Sequence, residues 1–224
     1  MIVGMPLSAR AGTIGSVPPE RTSAGRRPSA RSKASRPSRI ALASGGTSPG
    51  GEIALEQLDR PLEELRRFGL AGNAGYLLVE TPYYGWPLDL ASRLFALRAA
   101  GVTPVLAHPE RNPSVQERPD LLEDVVRGGT LVQLTAGSVD GRLGSQARRT
   151  SFALLERGLA HLIASDAHAP SLRAIGMSRA ARAVGDDELA RWLTVDLPRA
   201  IVEDTRLPER PARGRRGFLS RLRG

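Results

Sequence analysis

The chain alternates short apolar runs with stretches in which apolar residues recur at helical spacing, and this pattern begins near Glu52. The apolar runs predict strands at residues 76–80, 103–107, 130–134 and 160–165. The helical spacing predicts helices at residues 58–68, 88–100, 121–126, 146–157, 172–184, 188–195 and 200–203. Each strand is apolar throughout, which is typical of parallel strands buried on both faces. The pattern therefore predicts an α/β fold and leaves open whether the sheet closes into a barrel.

Polar side chains directly follow two of the predicted strands. His108 follows the strand TPVLA, and Asp166 and His168 follow the strand HLIAS. Active sites of α/β folds lie at the carboxyl ends of parallel strands. Alternate residues of an extended segment share a face, so Asp166 and His168 are expected to point into one cavity. With Glu52 they give two imidazoles and two carboxylates, a set of donors that suits Mn, Fe or Zn better than Ca or Cu(I).

Two arginines accompany these groups. Arg111 lies three residues after His108, and Arg173 lies five residues after His168. A guanidinium group is a planar fork that binds phosphate through two hydrogen bonds. Bound metal ions neutralise charge on phosphoryl oxygens and activate water, so this combination of groups is typical of phosphate ester hydrolysis.

Composition removes one class of phosphatase. The sequence contains no cysteine. Disulfides and thiolate metal sites are therefore excluded, and so is the cysteine nucleophile that many tyrosine phosphatases use.

The formal net charge of +9 is concentrated at the two ends of the chain. Residues 1–49 carry eight basic residues and one acid, residues 206–224 carry seven and one, and 17 basic and 21 acidic residues remain between them. The first segment is rich in Ser, Arg, Pro and Gly, and it cannot bury enough apolar surface to fold. We predict a disordered basic leader at 1–49, a domain at 50–205 and a basic tail at 206–224.

The basic ends of the chain could attract nucleic acid or an anionic membrane surface, but a solvated, disordered segment is the favoured interpretation. Neither end has the interleaved aromatic residues of a nucleic-acid platform, so no nucleic-acid partner is expected. No apolar run approaches the roughly 20 residues that span a bilayer, and the N-terminus lacks the apolar core of a secretory signal. The expected location is the cytoplasm.

A series of motifs in fixed order carries a family resemblance. The motifs are GGEIAL at 50–55, YLLVE at 76–80, PVLAHPERN at 104–112, LVQLTAGS at 131–138, GRLG at 141–144, LLERGL at 154–159 and ASDAH at 164–168. In this order they resemble the bacterial CpsB/CapC-type protein-tyrosine phosphatases of the polymerase and histidinol phosphatase (PHP) superfamily. PVLAHPERN is similar to the PVLAHPERY signature of that family, and the resemblance covers about two-thirds of the chain.

The resemblance implies a fold and a metal centre. The fold would be an incomplete, distorted β/α barrel of the PHP type, with parallel strands and its first strands missing. The centre would hold several manganese ions, with iron or zinc as alternatives. Glu52 would be a bridging ligand, and His108, Asp166 and His168 would be further ligands.

The resemblance also implies a reaction. Arg111 and Arg173 would hold the phosphate or assist the leaving group during hydrolysis of phosphotyrosine on proteins. The expected partner is a phosphotyrosine protein, in particular a bacterial tyrosine kinase that regulates capsule or exopolysaccharide synthesis. Whether the protein forms a homo-oligomer stays open.

The sequence departs from the family at its N-terminal side. The family opens with a His-x-His motif, an acidic loop and a further histidine, whereas the three histidines of this chain all follow Glu52. A complete trinuclear site is therefore not expected from this chain alone. Two explanations are an aberrant or mis-translated leader joined to a genuine domain, and a decayed gene. The intact motifs after Gly50 favour the first.

Several interpretations stay open at the level of sequence. Glu52 could instead begin a helix as an N-terminal carboxylate, and the two arginines could be ordinary ion-pair partners. Tyr83 and Tyr84 either shape a substrate rim or belong to a loop that packs on the barrel. Other PHP phosphoesterase substrates, such as histidinol phosphate, and an inactive remnant are the alternative functions.

Overall fold

The structure, a computed structural model, describes residues 38–41, 47–168 and 176–212. The predicted leader therefore lies largely outside the described residues, and so does the tail from 213 onward. Arg173 also lies outside them. Within the predicted leader, strands β1 (Ser38–Ala41) and β2 (Thr47–Gly50) form an antiparallel pair that the sequence analysis did not predict.

The centre of the fold is a five-stranded parallel sheet. Its strands are β3 (Glu52–Ile53), β4 (Tyr76–Glu80), β5 (Thr103–Ala107), β6 (Leu131–Thr135) and β7 (Leu162–Ala164). They lie in chain order, and every neighbouring pair is parallel. The predicted parallel α/β architecture is confirmed, and the predicted strands match β4 to β7 within two residues at each end.

Helices connect the strands and also follow the last one. They are α1 (Leu62–Arg66), α2 (Leu90–Ala99), α3 (Pro113–Glu117), α4 (Leu122–Arg127), α5 (Ala136–Val139), α6 (Ser145–Glu156), α7 (Ser178–Val184), α8 (Asp187–Arg191) and α9 (Leu197–Val202). Short 3₁₀ turns lie at Leu55–Asp59, Pro109–Arg111 and Pro119–Leu121, and a π-helical turn lies at Trp192–Asp196. None of the helices in this described part of the chain has both the length and the apolar character needed to cross a bilayer.

The core lies along the middle strands. Every residue of β6 is buried, and in β5 only Thr103 is partly exposed. Burial on both faces explains why these strands are apolar throughout. β4 differs, because its buried residues Leu77 and Val79 alternate with partly exposed ones. Since side chains of a strand point alternately to opposite faces, one face of β4 is only partly covered.

His161 is a structural residue at the start of β7. Its Nδ1 accepts a hydrogen bond from the backbone N–H of Val132 at 3.1 Å, and its ring lies 6.2 Å from that of Trp192. An acceptor nitrogen requires the neutral imidazole. Burial, with a contribution from the charge of Arg210, lowers the pKa of His161 to about 4.

The lowered pKa of His161 predicts how the stability of the protein depends on pH. The unfolded chain binds a proton at His161 near pH 6.5, whereas the folded chain does so only near pH 4. Its stabilising contribution is therefore present above pH 6.5 and is lost as the pH falls towards 4, by up to about 3 kcal/mol. Denaturant titrations from pH 4 to 8 should show this loss in the native sequence and a flatter profile in His161→Gln. The control, His168→Gln at an exposed site, should keep the native profile, and a native-like slope in His161→Gln would contradict the assignment.

Candidate metal centre

Three side chains meet at the carboxyl edge of the sheet. Glu52 comes from β3, His108 directly follows β5, and Asp166 follows β7 by two residues. The Nε2 atom of His108 lies 3.0 Å from Oε1 of Glu52. One ligand atom from each of the three residues lies within 4.8 Å of the other two. Parallel strands with right-handed connections bring residues from distant parts of the sequence to one place.

The backbone is strained at two of these residues. His108 has φ 38° and ψ 45°, and Asp166 has φ 49°, so both are left-handed. Such conformations are uncommon in residues other than glycine and cost about 1–3 kcal/mol each. They persist only where the surrounding structure imposes them, and they cluster at functional sites. Both strained residues supply a side chain to the cluster.

The donor set fits a divalent cation. Nitrogen and oxygen ligands lie about 2.0–2.2 Å from a metal such as zinc, so two donors of one ion lie at most about 4.4 Å apart. The three donors, an imidazole and two carboxylates, lie within 4.8 Å of one another, which is close to that limit. Burial alone would lower the pKa of His108, but the hydrogen bond and charge of Glu52, with the charge of Asp166, outweigh burial and raise it. The negative potential that favours a proton there also favours a metal cation.

Comparison with known proteins supports the same interpretation. Residues 41–202 match the profile of the family described as "Capsular polysaccharide synthesis, CpsB/CapC". The chain belongs to the CpsB/CapC family. It is 36% identical over 121 residues both to CapC of Staphylococcus aureus and to the tyrosine-protein phosphatase YwqE of Bacillus subtilis. These matches cover 53% and 54% of this chain but 47% of each relative, so the chain spans about half the length of these curated relatives.

A further relative and a solved structure agree with this assignment. The tyrosine-protein phosphatase CpsB of Streptococcus pneumoniae is 26% identical over 160 residues, which are 67% of this chain and 63% of CpsB. The crystal structures of YwqE and CpsB are described as those of metal-dependent tyrosine phosphatases. One of their chains matches this one with a TM-score of 0.63 and 28% identity, over 75% of this chain and 70% of that chain. The expected PHP-type fold is confirmed.

The other predicted site residues take different positions. Arg111 donates from Nη1 to Oδ2 of Asp166 at 2.8 Å. His168 is 79% exposed, and its Nδ1 donates to the backbone carbonyl of Asp166 at 3.0 Å. The left-handed backbone at Asp166 interrupts the extended segment, so the expected alternation does not bring His168 into the set of three donors. The ligand role of His168 and the phosphate-binding roles of Arg111 and Arg173 stay predictions.

Glu110 lies beneath the CpsB/CapC site and was not among the predicted site residues. Its side chain is completely buried, and its Oε1 accepts a hydrogen bond from the backbone N–H of Thr135 at 3.0 Å. Burial raises the pKa of its carboxyl group. The contact joins the turn that carries His108 and Arg111 to the end of β6. In the sequence, Glu110 is a charged residue between two candidate site residues, and nothing in the pattern indicates that its side chain points inward.

The grouped donors can be tested by metal binding. Titration of Mn²⁺ into the metal-free protein, followed by calorimetry, should show binding that His108→Ala weakens by at least about tenfold, because loss even of an outer-shell partner costs 10–100-fold in affinity. His161→Gln removes a histidine that lies away from the cluster and should keep the native affinity. Equal affinities in His108→Ala and the native protein would exclude His108 as a ligand.

The buried hydrogen bond of Glu110 predicts that two substitutions at this position differ in their free energy of unfolding. Glu110→Gln keeps an acceptor for the N–H of Thr135 and removes a carboxyl that is costly to ionise, so the free energy of unfolding at pH 7 should stay at or above the native value. Glu110→Ala leaves that N–H without its acceptor and should cost about 1–3 kcal/mol, with a further loss from the cavity. Chemical denaturation measures both. Similar destabilisation in the two variants would mean that the hydrogen bond contributes little.

Proposed function

We propose that this chain is a metal-dependent phosphatase that hydrolyses phosphotyrosine on proteins. The observation that carries the proposal is the meeting of Glu52, His108 and Asp166 at the carboxyl edge of the sheet, beside Arg111. A donor set of this kind with an adjacent guanidinium is suited to phosphoryl transfer to water. The chain is similar to the tyrosine-protein phosphatases YwqE and CpsB, and this similarity favours phosphotyrosine as the substrate.

The proposed roles follow from the contacts. Glu52, His108 and Asp166 would hold a divalent cation, for which manganese is our proposal and iron or zinc the alternatives. Such a cation supplies Lewis acidity, which reduces the charge on phosphoryl oxygens and the pKa of a water molecule. Among the described residues, Arg111 donates to Asp166 through one of its five N–H groups. Its remaining donors would bind phosphoryl oxygens, and its fixed charge would offset the charge that develops on them.

The biological setting is part of the proposal. We infer that the substrate is a tyrosine-phosphorylated kinase that controls capsule or exopolysaccharide synthesis, because the family profile is described by capsular polysaccharide synthesis. The cytoplasmic location expected from the sequence and the formation of a homo-oligomer stay predictions.

The test is hydrolysis of a phosphotyrosyl peptide by the full chain, with and without Mn²⁺. We expect release of phosphate that depends on the metal and falls at least about a hundredfold in His108→Ala, since removal of one catalytic group commonly costs this much. Arg111→Lys keeps the charge but not the fork, and it should reduce kcat/KM by a smaller factor. His161→Gln, assayed at pH 8, is the matched control with native activity expected.

The alternatives have distinct outcomes in the same assay. Faster release from histidinol phosphate than from the phosphotyrosyl peptide would assign the chain to another PHP phosphoesterase activity. Metal binding without hydrolysis of any phosphate ester in the panel would identify an inactive remnant. Activity that is equal in the native protein and His108→Ala would contradict the proposed role of His108.

A further inference from the structure

The loop that follows β4 carries exposed aromatic side chains beside the metal centre. Tyr83 is 64% exposed and Tyr84 is 86% exposed. Large aromatic rings gain most from burial, so exposed rings next to a site are candidates for contact with a ligand. The structure thus favours the rim over the packed loop among the two interpretations that the sequence left open.

Of these two rings, Tyr83 lies at the mouth of the site. It lines a small cavity together with Thr81, Pro82, His108, Arg111 and Asn112. A hydrogen bond to the carboxylate of Glu80 raises the pKa of its hydroxyl group, as does the charge of Glu52, whereas the charge of Arg111 lowers it. Tyr83 is therefore the aromatic member of a cavity whose other members include a predicted metal ligand and the predicted phosphate-binding arginine.

Asn112 fixes the loop that presents this ring. Its Nδ2 donates to the backbone carbonyls of Pro82 at 2.6 Å and Gly85 at 2.9 Å. Its Oδ1 accepts from the backbone N–H groups of Ser114 and Val115, and so caps α3. Asn112 is only 2% exposed. One buried amide therefore joins the backbone on both sides of Tyr83 to the turn that carries His108 and Arg111.

The start of the loop is held in a second way. The hydroxyl group of Thr81, which is buried, donates to the backbone carbonyl of Ala107, the last residue of β5. The backbone around Tyr83 is thus fixed before a ligand arrives, although the ring itself is exposed. A ring on a preorganised backbone contributes more to affinity, because the loop loses little conformational entropy when a ligand binds.

We propose that Tyr83 selects the substrate by packing against the aromatic ring of phosphotyrosine, and that Asn112 is a positioning residue for it. The inference rests on the proposed function. A phosphoryl group held by Arg111 and the proposed metal ligands would lie beside Tyr83, because Tyr83, Arg111 and His108 line the same cavity. An aryl group there makes an offset or edge-to-face contact with Tyr83. A phosphoserine side chain has no ring and gains no such contact.

The test measures binding, so that it does not depend on turnover. Three probes are compared in the presence of Mn²⁺: a peptide with phosphonomethyl-phenylalanine, the same peptide with the phosphonate analogue of phosphoserine, and inorganic phosphate. We expect Tyr83→Ala to weaken binding of the aryl peptide about tenfold, which is the scale of an aromatic contact with its buried area. The other two dissociation constants should change by less than about twofold. Tyr83→Phe keeps the ring and should bind all three probes like the native protein.

Two further variants test whether the contribution of Tyr83 is specific to the aryl group of the ligand. Asn112→Ser keeps an oxygen that can cap α3 but shortens the donor that reaches Pro82 and Gly85. It should reduce the preference for the aryl peptide over the alkyl peptide while leaving the affinity for inorganic phosphate unchanged. Phe95→Ala removes a ring on α2 that is also exposed, at 57%, and lies near Gly128 at the opposite end of the sheet. It should bind all three probes normally.

The outcomes distinguish the inference from the proposed function. If the native protein prefers the aryl peptide and Tyr83→Ala keeps that preference, the inference is overturned and the proposed function stands. A uniform loss for all three probes in Tyr83→Ala overturns it too, because the ring would then act on the phosphate or the metal. If the native protein shows no preference for the aryl peptide, both the inference and the phosphotyrosine assignment fail.

Discussion

The contact between Glu52 and His108 is the constraint on which the site depends. The two residues are 56 positions apart in the sequence, and their side-chain atoms lie 3.0 Å from each other. The parallel sheet brings these distant residues together, because the strands that carry them run in the same direction and place their following loops at one edge. The buried apolar strands β5 and β6 therefore do more than stabilise the fold, because they determine where His108 lies relative to the edge strand β3.

The position of Glu52 is set by close packing rather than by a long strand. β3 has only two residues, and Ile53 anchors it in the core with 3% of its surface exposed. The N–H of Gly51 donates to the carbonyl of Phe68, and a Cβ atom at Gly51 would lie 2.9 Å from the Phe68 ring. No larger residue fits there unless Phe68 moves. The glycine of the GGEIAL motif thus allows the chain to approach Phe68 and to direct Glu52 towards His108.

The sequence predicted the elements whose pattern reflects burial and missed what depends on local backbone geometry. Strands β5 and β6 and helix α6 were predicted almost residue for residue, because burial on both strand faces and a helical apolar stripe leave a clear periodicity. The proximity of His108 and Asp166 followed from their places at strand ends. The side chains of Asp166 and His168 do lie near each other, with Nδ1 of His168 3.6 Å from Oδ1 of Asp166, but His168 stands outside the group of three donors, and the left-handed backbone at Asp166 could not be predicted from the alternation. The complete burial of Glu110 was not predicted, because inward burial of a carboxyl group contradicts the expectation from its charge.

Asp166 links the two halves of the proposed chemistry. It is one of the three grouped donors, and it also accepts the hydrogen bond of Arg111 at 2.8 Å. A cation held in the proposed way and Arg111 would share the negative charge of this carboxylate, so coordination would weaken the hydrogen bond between Asp166 and the guanidinium. The N–H donors of Arg111, which lines the same cavity as His108, would then be available to a phosphoryl group. Because coupling between two binding events is reciprocal, a phosphoryl group bound by Arg111 would strengthen metal binding by the same factor. In the proposed mechanism the ion pair between Arg111, on the turn after β5, and Asp166, after β7, would therefore connect metal occupancy to phosphate recognition.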